Sequence, residues 1–103
     1  MSLWQDELSW HSESVAGTND ELVVAPGVGK KIVVYYLSGG CDETDNFYLN
    51  DDVGNAQIGR KLHFTAAVES RDEWFAKFSL PENTALDGNM DGAGTAEIIV
   101  GYK

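Results

Sequence analysis

Residues 22–37 read Leu22-Val23-Val24-Ala25-Pro26-Gly27-Val28-Gly29-Lys30-Lys31-Ile32-Val33-Val34-Tyr35-Tyr36-Leu37, two dense apolar runs joined by a Pro/Gly break. Pro fixes φ and Gly tolerates left-handed backbone, so the break is a turn. The second run is rich in β-branched and aromatic residues and is apolar at both parities. In a strand, successive side chains point to opposite faces, so such a run needs cover on both sides of its sheet. The rest of the chain has to supply that cover.

It does so in short alternating segments. Residues 3–11 alternate loosely, with Trp4, Leu8 and Trp10 on one parity, and residues 12–20 are polar and end in the loop Gly17-Thr18-Asn19-Asp20. Residues 21–25 and 30–37 are strands, and residues 38–45 (Ser38-Gly39-Gly40-Cys41-Asp42-Glu43-Thr44-Asp45) carry loop chemistry. Residues 46–50 form a short strand. In residues 57–69, Leu62, Phe64, Ala66 and Val68 recur at period two. Trp74, Ala76, Phe78 and Leu80 alternate with Phe75, Lys77 and Ser79; residues 84–90 and 95–102 supply two more strands, the last with Ile98, Val100 and Tyr102 against Ile99. Seven or eight short strands separated by turns predict an all-β chain, a single antiparallel β-sandwich of jelly-roll-like type over residues 1–103. Residues 1–19 are expected as an N-terminal strand or arm that packs on a neighbour.

Charge narrows the partners. Seventeen acidic against seven basic residues give a net charge of −10. Nucleic acid and anionic lipid both need clustered Lys and Arg, so neither is an expected partner. No apolar run has the length of a membrane span, and the first residues lack the basic and apolar regions of a signal peptide. One cysteine, Cys41, makes no intrachain disulfide.

Four motifs invite a chemical reading. Gly27-Val28-Gly29-Lys30-Lys31 resembles part of a phosphate loop, but a β-run follows where that loop needs a helix, and a turn is the better reading. Asp87-Gly88-Asn89-Met90-Asp91-Gly92 matches the first half of a calcium loop, making Asp87, Asn89 and Asp91 candidate ligands. Its twelfth position is Ile98 instead of Glu, which favours a polar hairpin and no cofactor. The acidic residues Asp42, Glu43, Asp45, Asp51 and Asp52 flank a strand and read as solvated turns, not as catalytic carboxylates in a cleft. Cys41, His11 and His63 fall short of a zinc set, and read as a loop thiol and two surface histidines.

The aromatic residues are many for so small a core. One row of the residue 30–37 strand fills the interior, and the other, Val33, Tyr35 and Leu37 or Ile32, Val34 and Tyr36, must face something else. Monomers rarely keep such a patch exposed. Burial on another copy through Val33, Tyr35 and Leu37, with Trp4 and Trp10, predicts a homo-oligomer. An aromatic sugar platform using exposed Trp or Tyr is the competing use, and a larger core is the third.

The run from Glu21 through Val34, with the closing Gly92-Ala93-Gly94-Thr95-Ala96-Glu97-Ile98-Ile99-Val100-Gly101-Tyr102, resembles a pattern in small structural proteins of tailed bacteriophages. The resemblance spans residues 20–103 and consists of a turn and two strands. It implies a non-enzymatic, virion-associated β-sandwich that decorates a capsid or tail. It also implies a trimer, contacts with other virion proteins, and a place in the virion or, during assembly, the host cytoplasm. A lectin-like carbohydrate-binding module is the alternative.

Overall fold

The computed structural model describes residues 8–41, 43–66 and 70–103. They form eight strands: β1 (Ser9–Ala16), β2 (Asp20–Val23), β3 (Val33–Gly40), β4 (Asp45–Asp51), β5 (Gln57–Phe64), β6 (Arg71–Ser79), β7 (Leu86–Met90) and β8 (Thr95–Tyr102). The strands make two four-stranded sheets, ordered β1-β8-β3-β6 and β2-β7-β4-β5, with every pairing antiparallel. Strands β1 and β8, β2 and β7, β3 and β6, β4 and β5 pair in a nested series around the β4–β5 hairpin. That nesting is a jelly roll, and it confirms the antiparallel sandwich expected from the strand spacing.

Alternation decides which side chains enter the core. Ile98 and Val100 on β8 are buried while Ile99 between them is exposed, and Phe47, Leu49 and Leu62 close the core from the other sheet. Two glycines make room for a core side chain from the neighbouring strand of their own sheet. A Cβ at Gly39 would lie 2.6 Å from Ile98 Cδ1, and one at Gly88 would lie 2.8 Å from Phe47 Cζ. Gly39 therefore belongs to a packed strand.

This corrects the expected loop over residues 38–45. Strand β3 runs through Gly40, and Cys41 is buried at its end instead of lying in an exposed loop. Residues 12–16, expected only as a polar stretch of the N-terminal strand or arm, belong to β1, which ends just before the loop at Gly17. As an edge strand, β1 can carry polar residues on its solvent side and still pair along its whole length with β8.

Parity along β3 is broken. Val34 pairs with Tyr102 and Tyr36 with the adjacent Gly101, so Tyr35 is an extra residue opposite β8. A bulge of this kind reverses the alternation beyond it. Val34 and Leu37, three residues apart, both point inward, and Tyr36 points outward.

Candidate functional site

The outer face of the β1-β8-β3-β6 sheet carries a row of residues in register: Trp10, Gly101, Tyr36 and Phe75, one from each strand. Trp10 meets Tyr36 edge to face at 5.7 Å between centroids, and Tyr36 meets Phe75 at 4.8 Å. Gly101 makes room for this, since a Cβ there would lie 2.8 Å from Trp10 Cζ3. Trp10 is 47% exposed and Phe75 61%, with Ile99 in the next row also facing out. Beside the row opens a notch of about 290 Å³, lined by Tyr36, Ser38, Arg71, Asp72 and Glu73.

Asp72 fixes the rim of that notch. Arg60 Nη1 and Nη2 donate to its two oxygens at 2.7 and 2.9 Å, and the His63 amide donates to Oδ2 at 3.0 Å. The guanidinium beside it holds the Asp72 carboxyl well below the usual carboxylate range. The bridge ties β5 to β6, where the two sheets meet. There, too, Trp74 Nε1 donates to the Arg60 carbonyl at 3.0 Å.

The outer face of the other sheet is polar. Register sets Tyr48 beside Asn89 and Asn50 beside Asp87, with Glu21 on the far side of Asp87. Thr18, Asn19, Tyr48, Asn50, Asn55 and Asn89 line a pocket of about 260 Å³ here. Next to it Asp87 is buried, and its Oδ2 has no hydrogen-bond partner among the described residues. Burial, then the Asp52 carboxyl, then Glu21 and Asp20, push the Asp87 carboxyl up to about 6. At the β1–β2 edge His11 Nε2 lies 2.6 Å from Glu13 Oε1. A shared proton with Glu13 raises the Asp20 carboxyl.

The expected site residues land as follows. Leu37 is fully buried in the sandwich, so it cannot share an outer face with Val33 and Tyr35; the Tyr35 bulge separates them. Val33 and Tyr35 are half-buried, Trp10 stands on the outer row, and Trp4 lies outside the described residues. Trp74, one of the tryptophans open to a sugar-platform reading, is buried.

Asp87, Asn89 and Asp91 do not converge. Asp87 and Asn89 belong to strand β7, where residues two apart are separated by about 6–7 Å along the chain instead of wrapping one point. Asp91 Oδ2 is held by Lys61 Nζ at 2.8 Å and Asn46 Nδ2 at 3.2 Å, and Asn89 Oδ1 accepts from the Asn19 amide at 2.8 Å. The segment is a strand because β2 and β4 pair with it on both sides, which the local calcium-like spacing cannot reveal. No cluster of three or more His, Cys, Asp or Glu suited to a metal occurs among the described residues.

The acidic loops do structural work on the backbone. Asp45 accepts from the amides of Gly92 (2.8 Å) and Gly94 (2.9 Å), and Asp51 from those of Val53 (3.1 Å) and Gly54 (2.6 Å). Sequence reasoning missed Tyr36, Phe75 and Gly101 as one row and the four asparagines as one pocket. The glycine in an otherwise β-branched closing strand was the available signal, since a strand glycine marks a close approach.

No protein-family model matches the chain, and no curated protein matches it. Among solved structures, it is similar to a chain in the cryo-EM structure of the virus-like particle of the extra small virus of the giant freshwater prawn Macrobrachium rosenbergii. The match is 11% identical, covers 92% of this chain and 75% of that one, and has a TM-score of 0.41. The strand order itself identifies the jelly roll.

Proposed function

We propose that this chain is a non-enzymatic structural module of a virion, a capsid or tail decoration component, that self-associates through the outer face of the β1-β8-β3-β6 sheet. The observation that carries the reading is the aromatic row of Trp10, Tyr36 and Phe75. Solvent exposure of such a cluster is costly and is relieved by a partner surface.

Charge supports a second copy as that partner. The chain carries a net −10, so two copies repel unless they meet where acid is scarce. The polar face gathers Glu21, Asp52 and Asp87, whereas on the aromatic face Arg71 stands beside Glu73 and, across Gly40, Glu97. Copies that meet on this face can set Arg71 of one against a glutamate of the other. The virion setting rests on the phage-like pattern of residues 20–103, and the trimer on the same resemblance.

The test is a pair of variants followed by sedimentation velocity. Phe75→Asp places a charge in the row and should weaken association by about 2 kcal/mol or more, roughly thirtyfold. Val24→Asp changes another exposed apolar residue away from the row and should leave association intact. Equal behaviour of the two variants rejects this face as the interface.

A further inference from the structure

We propose that the asparagine pocket on the outer face of the β2-β7-β4-β5 sheet binds an uncharged saccharide. It lies on the sheet opposite the aromatic row and stands independently of self-association.

The pocket is built from four separate parts of the chain. Tyr48 and Asn50 come from β4 and Asn89 from β7, while Thr18 and Asn19 come from the β1–β2 turn and Asn55 from the β4–β5 turn. Asn50 and Asn89 are 3% and 2% exposed, although they point away from the apolar core. Their amides are locked in a relay. Asn89 Nδ2 donates to Asn50 Oδ1, and Asn50 Nδ2 donates to Asn55 Oδ1 at 3.0 Å and to the Asp51 carbonyl at 3.0 Å. The Asn19 amide closes the relay onto Asn89 Oδ1. Three side-chain amides are thereby held in fixed orientation without any ligand.

A fixed amide floor suits a ligand with hydroxyl groups. Each amide oxygen in the relay has two lone pairs and gives one to the relay. The Thr18 hydroxyl and the Asn55 side-chain amide also line the pocket. The rim therefore offers donors and acceptors side by side, which adjacent hydroxyls of a sugar ring can match because each hydroxyl both donates and accepts. The Tyr48 ring supplies an apolar wall for the sugar's C–H groups. That ring is itself held, with Lys61 Nζ 4.9 Å from its centroid and tied to Asp91. At about 260 Å³ the space is of the order of one sugar ring.

Charge sets the class. No carboxylate or amine lines the pocket; Lys61, beside Tyr48, is paired with Asp91, and the other charged groups on this face are the carboxyl groups of Asp87, Asp52 and Glu21. An anionic sugar would meet their field, so a neutral one is favoured.

The experiment uses the whole ¹⁵N-labelled protein and free glucose, galactose, mannose and N-acetylglucosamine, with sialic acid as the anionic comparison. The proposal expects at least one neutral sugar to shift the side-chain amide signals of Asn19, Asn55 and Asn89 saturably. Asn19 and Asn55 have left-handed backbone, so Asn19→Gly with Asn55→Gly removes the rim amides without imposing strain. That double variant should keep the fold and bind about tenfold more weakly. Absence of saturable shifts with every neutral sugar overturns the proposal. So does unchanged affinity in the double variant, preference for sialic acid, or shifts centred on Trp10 and Phe75. Sedimentation of the same samples reads self-association separately.

Discussion

Replacing Asp87 by Asn should make this protein more stable at neutral pH, the reverse of what most substitutions at a buried position do. Asp87 is 2% exposed, its Oδ2 lacks a partner among the described residues, and Asp52, Glu21 and Asp20 lie near enough to act on it. Burial and those carboxyl groups raise its carboxyl from 3.8 to about 6. A carboxyl raised on folding gives stability that is complete below pH 3.8 and is lost as pH climbs through about 6. At about 1.36 kcal/mol per pH unit, the gap corresponds to about 3 kcal/mol, and solvent screening at the exposed Asp52 reduces it to about 2 kcal/mol. Asn keeps the shape, carries no charge, and its NH₂ can donate to Asp52. Thermal unfolding of both proteins at about pH 7.5 should place Asp87→Asn roughly 8 °C higher, and at about pH 4 the two should coincide. If Asp87→Asn unfolds lower at about pH 7.5, the carboxylate is stabilising as a charge and the reasoning fails. A pH-independent offset refutes it equally.

The remaining predictions bear on the sheets and their outer row. Asp72 is held low by Arg60, so its stability contribution is present above pH 3.8 and lost as pH falls below it. Asp72→Ala should cost about 1–3 kcal/mol at neutral pH and flatten the acid limb of the stability curve, read by urea unfolding. Gly59 has φ 71, and a Cβ there would lie 2.7 Å from Trp74 Cζ2, so Gly59→Ala should cost about 2–3 kcal/mol in the same assay. Gly101→Ala displaces only the outer end of the exposed Trp10 ring. It should change the unfolding midpoint by less than about 1 kcal/mol while weakening self-association measured by sedimentation.

The strands were legible where a local pattern decides them. Leu62 with Phe64, and Ile98 with Val100, declare their buried face by alternation alone, and both pairs are buried as expected. The turn at Gly27 to Lys30 was legible from Pro and Gly, and the Lys30 amide closes it onto the Gly27 carbonyl at 3.1 Å. Leu37 was misplaced because one extra residue at Tyr35 reverses parity. That bulge is set by the pairing of β3 with β8, more than sixty residues away along the chain. The extent of β1 beyond His11 was not legible because an edge strand is identified by its neighbour, not by its own composition. The same limit hid both outer faces. Trp10, Tyr36, Gly101 and Phe75 become a row, and Asn19, Asn50, Asn55 and Asn89 a pocket, only when the nested pairing brings them side by side.

Self-association through the aromatic face is tested most directly by sedimentation equilibrium of the unaltered protein across about 1–100 µM. The account predicts a mass above that of one chain that falls on dilution or in Phe75→Asp, with three chains as the expected limit. A mass equal to one chain throughout that range would contradict it.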